Sequence, residues 1–156
     1  MQPGSLRAQQ GGFTLVAVLA AVAVLGIGLA AFGPHWALES QRERELELLR
    51  VGQTYAQAID SYYRLSPGAA KQYPRRLEDL LHDARMVGTY RHLRKLYPDP
   101  MGGEWGLVKD ANGGIQGVFS TSTEAPLRTL PLQTPLLMLP AATRYDQWIF
   151  APRTTS

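Results

Sequence analysis

The hydrophobic pattern changes from uniformly apolar to amphipathic within the first third of the chain. Residues 13–32 carry no charged side chain. At about 1.5 Å rise per residue, this stretch matches the roughly 30 Å hydrocarbon core of a bilayer, which predicts a transmembrane helix. From His35 to about Leu65, apolar residues recur at helical spacing among arginines and glutamates, which predicts that the helix continues outside the membrane. Its inward stripe is predicted to contain Leu46, Leu49, Ala56, Ile59 and Tyr63.

Two prolines mark positions along this helix. Pro34 follows Gly33 inside the helix, where it removes a backbone donor, and predicts a kink or a locally melted turn. Ser66-Pro67-Gly68 is a strong helix breaker and predicts the end of the helix.

The amphipathic part of the helix also contains oppositely charged residues three positions apart, which keep one face soluble. These pairs are Glu39 with Arg42, Arg42 with Glu45, and Glu47 with Arg50.

The remaining residues predict a small head that begins with short helices and a hairpin. Residues 77–81 read as a short helix with its leucines inward, and a further helical piece is expected near 89–96 with Leu93 and Leu96 inward. Residues 105–109 and 115–120 flank an Asn-Gly turn, which predicts a β-hairpin.

The last part of the head is predicted from prolines and alternation. Four prolines among leucines between residues 124 and 140 predict an irregular loop with no regular element. Residues 145–150 alternate, which predicts a final strand with Trp148 and Phe150 on one face, and residues 152–156 should fray. The pattern therefore predicts an α+β fold, with one long helix packed on a small antiparallel sheet.

Composition narrows the function only slightly. The formal net charge is +3 and the sequence pI is about 9.4, a mild and mixed balance that does not require a nucleic-acid partner. The chain has no cysteine, so it contains no disulfide. Arginines are more frequent after the apolar run than before it, which by itself favours the opposite membrane orientation from the one proposed below.

The start of the chain is a polar leader, followed by the junction Gly11-Gly12-Phe13-Thr14-Leu15 and an apolar helix. In this order of parts it resembles the N-terminus of type IV pilins and type II secretion pseudopilins. The resemblance implies cleavage by a membrane-embedded prepilin peptidase between Gly12 and Phe13, followed by N-methylation of Phe13. Gly26 and Pro34 stand where the family tends to carry glycine and proline. The implied segments are a leader (1–12), a transmembrane half-helix (13–34), an exported half-helix (35–66) and a head (67–156).

Ala17 departs from the family pattern. The family nearly always has glutamate four residues after the mature N-terminus, where it partners the terminal ammonium of a neighbouring subunit. An unpartnered ammonium at membrane depth costs a few kcal/mol. Within the family, the tip-forming minor pseudopilin of type II secretion is known for lacking this glutamate, so the resemblance implies a minor subunit. Ala17, Gly26 and Pro34 are the candidate assembly residues.

Other interpretations of the apolar run are an uncleaved signal anchor and a Sec signal peptide. Small residues near Ala31 or Ala37 could serve a signal peptidase, but the apolar region is long for that purpose. The Gly-Gly-Phe-Thr-Leu junction favours the pilin-like interpretation over both.

No enzyme signature is present, and no cofactor or metal site is expected. His35, His82 and His92 have no metal-ligand spacing, and neither Ser120 nor Ser122 sits in a nucleophile elbow. Some major pseudopilins bind calcium, but Asp99, Asp110 and Glu124 are scattered here, and the turn residues Asp110 and Asn112 are better explained by turn formation. A basic stretch with nearby Tyr90 and Tyr97 has the composition of a nucleic-acid surface, although a solvated face is the favoured interpretation. Its members are Arg75, Arg76, Arg85, Arg91, Arg94 and Lys95.

The resemblance therefore implies a pseudopilin of a type II secretion apparatus. Its expected partners are other pseudopilins, the inner-membrane assembly platform and the prepilin peptidase. The expected location is the bacterial inner membrane, with the head in the periplasm and the chain incorporated in a periplasmic fibre. Two alternatives remain: a minor type IV pilus or competence pilin, and an uncleaved membrane-anchored periplasmic binding module.

Overall fold

The fold combines one long helix with short 3-10 helices and two small antiparallel sheets. The computed structural model describes residues 11–88 and 90–153, without the side chains of residues 11–13 and 26–36. Helix α1 spans Gly11–Arg64, and the 3-10 helices span Leu77–Leu80 and Tyr145–Gln147. The strands are β1 (Trp105–Lys109), β2 (Ile115–Ser120), β3 (Leu132–Gln133), β4 (Met138–Leu139) and β5 (Ile149–Phe150). This arrangement confirms the α+β prediction.

The chain forms two compact units, Met1–Ser40 and Gln41–Ser156. Helix α1 contributes to both and ends at Arg64, at the predicted breaker. Its backbone is helical through Gly33 and Pro34, so no turn is melted there, and a kink at Pro34 stays a prediction. The leader prediction falls mostly on residues 1–10, which lie outside the described residues, while Gly11 and Gly12 already belong to the helix.

The larger sheet has the strand order β1-β2-β5, and all its neighbours are antiparallel. Strands β1 and β2 form the predicted hairpin, with Trp105 opposite Ser120 and an irregularity between Val108 and Lys109. The turn follows the predicted chemistry, because the Asp110 carboxylate accepts hydrogen bonds from the backbone N–H groups of Asn112 and Gly114. Gly113 has φ +81° in this turn, a conformation that suits glycine.

The core of the larger unit lies between this sheet and the inward face of α1. Fully buried helix residues recur three and four positions apart and meet Trp148, Phe150 and the leucines of the 132–139 segment. The buried stripe comprises Leu48, Val51, Tyr55, Ala56, Ala58, Ile59 and Tyr62. Ala56 and Ile59 were predicted to belong to this stripe. The prediction that Leu46 also points inward is wrong, since its side chain is 61% exposed. Leu49 and Tyr63 are half-buried at the edge of the stripe.

Gly52 sets how closely α1 approaches strand β5. A Cβ at this position would lie 2.3 Å from Cδ1 of Phe150, so the aromatic ring occupies the space that any other side chain would need. Phe150 is itself fully buried. The helix and the sheet therefore pack through a glycine and a phenylalanine that fit each other.

The predicted helical piece at 89–96 is wrong over the described residues 90–96. The backbone N–H groups of His92 and Leu93 donate to the carbonyl of Leu80, and the carbonyl of Tyr90 accepts from Asp83. Because these backbone groups are paired with Leu80 and Asp83, they do not need the hydrogen bonds that a helix would provide. Leu93 is buried as predicted, whereas Leu96 is exposed.

The prediction of an irregular loop at 124–140 is also wrong in part. Strands β3 and β4 pair there, with Leu132 opposite Leu139. Pro131 precedes β3, Pro135 lies in the connecting turn and Pro140 follows β4, so no proline has to donate within the ladder. Leu137 is fully buried, which agrees with the predicted covering role of this segment.

The final strand is shorter than predicted. Residues Tyr145–Gln147 form a 3-10 helix, because the N–H groups of Tyr145 and Asp146 donate to the carbonyls of Glu124 and Ser122. Trp148 and Phe150 nevertheless share the buried face as predicted, and Ile149 points outward. Arg153 is held by a bond from its N–H to the carbonyl of Leu136, so fraying cannot begin before it; residues 154–156 lie outside the described residues.

Candidate processing segment and helix anchors

The candidate cleavage bond lies in the first turn of α1. The helix begins at Gly11, so the Gly12–Phe13 peptide bond follows its second residue. The first four N–H groups of a helix have no partner within it, and each glycine weakens a helix by about 1 kcal/mol relative to alanine. Gly11 and Gly12 therefore make this turn easier to unwind, into the extended form that a peptidase needs, than a turn of alanines would be.

The helix after this turn has an apolar surface on every side. All residues from 14 to 25 are exposed, with Leu15 at 62% and Leu25 at 66%. Ala17 is one of these exposed residues. A helix that is apolar all round normally lies in an apolar environment. Over the described residues, no helix combines the length and the hydropathy required to cross a membrane.

Gly26 and Pro34 lie further along the same helix. Both have helical backbones, and the structure describes nothing else about them. The structure therefore places all five candidate processing and assembly residues on α1, while their roles stay predictions.

Glu45 anchors α1 to the 124–130 loop, a role that was not predicted from the sequence. Its carboxylate accepts hydrogen bonds from the backbone N–H groups of Leu127 (2.7 Å) and Arg128 (3.2 Å) and from the hydroxyl of Tyr145 (2.8 Å). The side chain is buried, although it was predicted to lie on a solvated face. Its position three residues before Leu48, on the apolar stripe, was the signal that could have revealed it.

Tyr145 and Gln41 complete this first anchor. Burial raises the pKa of the Tyr145 phenol to about 12, and the hydrogen bond to Glu45 adds to the effect. The Gln41 side chain donates to the carbonyl of Ala125 at 2.9 Å. The anchor therefore joins the start of the helix in this unit to a segment more than eighty residues later.

Asp83 and Arg85 form a second anchor at the C-terminal end of α1. The two side chains make a forked pair, with Nε to Oδ1 at 2.8 Å and Nη2 to Oδ2 at 2.7 Å. Arg85 also donates to the carbonyl of Tyr62 at 3.0 Å and lies over the Tyr62 ring at 3.5 Å from its centroid. It thereby satisfies a carbonyl that the helix leaves unpaired, and its charge suits the negative end of the helix dipole. The Arg85 hydrogen bonds hold the pKa of Asp83 well below its usual range.

His92 lies between Asp83 and Ser61 and resembles the middle member of a hydrolase triad. Its Nδ1 is 2.8 Å from the Ser61 hydroxyl and its Nε2 is 3.2 Å from the Asp83 carboxylate. The His92 side chain is 0% exposed and packs against the rings of Tyr62 and Tyr90. No substrate can reach a ring enclosed in this way, so the arrangement serves to hold the 83–92 segment on the helix.

The serines considered for hydrolysis are placed elsewhere. Ser120 donates to the buried carboxylate of Asp99 at 2.6 Å, and its hydroxyl accepts from the N–H of Ser122. The structure therefore does not bring His92 together with either serine through a hydrogen bond. Asp99 in turn fixes the loop before β1 by accepting from the N–H of Met101.

Several of the residues considered for calcium or nucleic-acid binding are engaged in contacts within the chain. Asp99 and Asp110 each use their carboxylates in local turns. Among the described residues, no group of three acidic, histidine or cysteine side chains is arranged to hold a metal ion. Arg85 is committed to the second anchor and is no longer available to a basic surface. Arg75, Arg76, Arg91, Arg94 and Lys95 are exposed.

The N-terminal segment carries a motif that is known from other proteins. A family model described as the prokaryotic N-terminal methylation motif matches residues 7–33. These residues therefore carry the N-terminal methylation motif of type IV pilin-like proteins. The match includes Gly12, Phe13, Ala17 and Gly26 and confirms the resemblance at this end of the chain. The motif implies processing by a prepilin peptidase and assembly with other pilins.

Searches of curated proteins and of solved structures returned no match. The function of the head must therefore be argued from its own residues.

Proposed function

We propose that this pilin-like protein is a pseudopilin of a type II secretion apparatus. It acts by assembly and not by catalysis, anchored in the inner membrane with its head in the periplasm. The observation that carries the proposal is the methylation motif at residues 7–33, continued by a helical surface that is apolar on every side from 14 to 25. Its partners are the prepilin peptidase, the inner-membrane assembly platform and other pseudopilins.

The proposed mechanism depends on keeping apolar surface away from water throughout assembly. The peptidase cuts after Gly12, and the apolar half of α1 then moves from lipid into a bundle of similar helices. Both environments are apolar, so extraction does not require exposure of Leu15 or Leu25 to water. Small residues such as Ala17 and Gly26 allow helices to approach closely in that bundle.

Ala17 bears on the position of the subunit in the fibre. A subunit without the usual glutamate cannot neutralise the terminal ammonium of the next subunit, which favours a minor subunit.

Determination of the mature N-terminus tests the proposal. The full chain is purified from cells with and without the prepilin peptidase, and its intact mass and first residue are measured. We expect a chain that begins with N-methylated Phe13 only when the peptidase is present. Gly12→Val should block cleavage because a side chain replaces the glycine at the cut, while Gly11→Ala serves as the matched control and should be processed. A chain that still begins at Met1 in peptidase-positive cells overturns the proposal.

A type IV pilus or competence pilin is the second candidate, favoured by the exposure of Arg91, Arg94 and Lys95. Binding of DNA that weakens steeply with salt, and that is lost when these three residues become glutamine, would support it. An uncleaved membrane-anchored binding module would keep its leader and would not co-purify with pilin-like partners.

A further inference from the structure

An open groove of about 490 Å³ lies between α1 and the 127–130 loop in the larger unit. Its walls are partly apolar, because Leu46 and Leu130 line it and are 61% and 71% exposed. Arg42 and Arg128 also line it, and Arg42 takes part in a further interaction within the described part of the chain. The groove therefore combines aliphatic surface with positive charge.

The acidic residue in the groove is already used within the chain. Glu45 directs its carboxylate onto the N–H groups of Leu127 and Arg128 and onto the hydroxyl of Tyr145. These bonds also hold the backbone of the loop that carries Arg128 and Leu130. Glu45 thus shapes the groove, while its negative charge is directed at donors of its own chain.

Helix α1 carries a surface that complements this groove. Glu43 and Glu47 lie one turn apart, and both are exposed. At 100° per residue, Glu43 is rotated by about 100° from Arg42, so it lies on a different face of the helix from the groove. Within the described part of the chain, no hydrogen bond or ion pair involves the Glu43 carboxylate, whereas Glu47 bonds to Arg50 at 2.7 Å.

We infer that the groove receives the Glu43–Glu47 face of α1 from a second copy of this chain. The inference rests on the proposed function, because it concerns contacts between assembled subunits. Arginine binds carboxylates through paired donors, and covering Leu46 and Leu130 removes water from these bonds. A contact between two different faces of identical subunits is heterologous and repeats along a fibre. The same helix can therefore present its groove to one neighbour and its acidic face to another.

Charge reversal between two tagged copies tests the contact. Two forms of the full chain with different tags are expressed in the same cells, and co-purification of one with the other is measured in mild detergent. When both copies carry Glu43→Arg, or both carry Arg128→Glu, we expect at least about a tenfold loss of co-purification, because like charges then face each other. When both copies carry both substitutions, the opposite charges face each other again, and recovery of most of the binding is expected.

Matched controls separate this contact from general effects of charge and exposure. Glu104→Arg and Arg94→Glu change exposed charges outside the groove and should leave co-purification unchanged. Leu130→Ser should weaken it, while Met138→Ser, which alters another exposed apolar side chain, should not. Near-ultraviolet circular dichroism of each variant establishes that the head is folded.

The outcomes distinguish this inference from the proposed function. The inference is wrong if the chain matures at Phe13 and co-purifies with other pilin-like proteins, but reversals at Glu43 and Arg128 act no more strongly than the controls. It is also wrong if two copies never co-purify, which is the result expected of a tip subunit present once in each fibre. A chain that keeps Met1 instead overturns the proposed function itself.

Discussion

Removal of the Glu45 carboxylate should destabilise the head more than any single change on the solvated face of α1. In the Glu45→Ala variant, the hydroxyl of the fully buried Tyr145 loses its 2.8 Å acceptor. The N–H groups of Leu127 and Arg128 lose theirs as well, but these residues are partly exposed and water can replace the carboxylate. The cost should therefore be concentrated on the tyrosine.

The magnitude follows from these three donors. An unpaired buried hydroxyl costs about 1–3 kcal/mol, and each re-solvated N–H costs about 0.5–1 kcal/mol, for a total of about 3 kcal/mol. For a unit of this size, 1 kcal/mol corresponds to roughly 4 °C in Tm, so the midpoint should fall by about 12 °C. Tyr145→Phe alone should cost about 1 kcal/mol, since the carboxylate keeps its two backbone donors.

Thermal or denaturant unfolding of the full chain in detergent, followed by near-ultraviolet circular dichroism, measures these differences. In the double variant Glu45→Ala with Tyr145→Phe, no hydroxyl is left unpaired, so its loss should be smaller than the sum of the two single losses by at least about 1 kcal/mol. Glu47→Ala is the matched control. It removes a nearby glutamate whose pair with Arg50 is exposed, and it should cost about 0.5 kcal/mol or less.

Titration of Tyr145 provides an independent measurement. Its raised pKa means that the anchor contributes stability fully below pH 10, and that this contribution is lost as the pH rises through about 12. Glu45→Gln should move the tyrosinate transition towards lower pH, because burial remains but the carboxylate no longer disfavours the phenolate. If Glu45→Ala costs no more than Glu47→Ala, and Tyr145 titrates unchanged in Glu45→Gln, the anchor does not exist as described.

Three further predictions concern other parts of the head. Asp83→Asn should lower the free energy of unfolding by about 3 kcal/mol, because Arg85 loses its charged partner. Since the pKa of Asp83 is lowered in the folded chain, wild-type stability should decline as the pH falls below about 4, and this decline should be shallower in the variant. Gly52→Ala should lower the free energy of unfolding by about 1–2 kcal/mol, as overlap with the Phe150 ring outweighs the gain in helix propensity, and Phe150→Leu should reduce that penalty; equal penalties in both backgrounds would contradict the packing. Arg44→Met should leave the free energy of unfolding unchanged or raise it by up to about 1 kcal/mol, because Nε of Arg44 is buried without a hydrogen bond in the described part of the chain; a loss above about 2 kcal/mol in chemical denaturation would show that this nitrogen has a partner.

Local sequence chemistry was sufficient for the elements that depend on neighbouring residues. The long helix, its end at Ser66-Pro67-Gly68 and the hairpin around Asn112-Gly113 follow from periodicity, breakers and turn residues, which act over a few positions. The N-terminal junction could also be recognised from the sequence, because the methylation motif is a contiguous stretch of residues. The order of Gly12, Phe13 and the apolar run is therefore enough to indicate the family.

Pairings between distant segments were not readable. Periodicity predicted that Glu45 lies on a solvated face. Its burial could not be predicted, because its three donors come from residues more than eighty positions away. The 90–96 segment was expected to be helical, but its donors bond to Leu80 instead of its own carbonyls. Strands β3 and β4 were not predicted, because the prolines between 124 and 140 suggested a loop. In the structure, these prolines lie outside the ladder.

The sequence by itself thus determined where the chain is apolar, which residues carry the methylation motif, where the long helix ends and where the main hairpin lies. Only the tertiary structure decided which charged side chains turn inward, how Gly52 and Phe150 fit, and where the Arg42–Arg128 groove opens. The physical reason is that backbone propensities and hydrophobic period are properties of adjacent residues, whereas burial of a carboxylate is stable only when distant donors arrive to satisfy it.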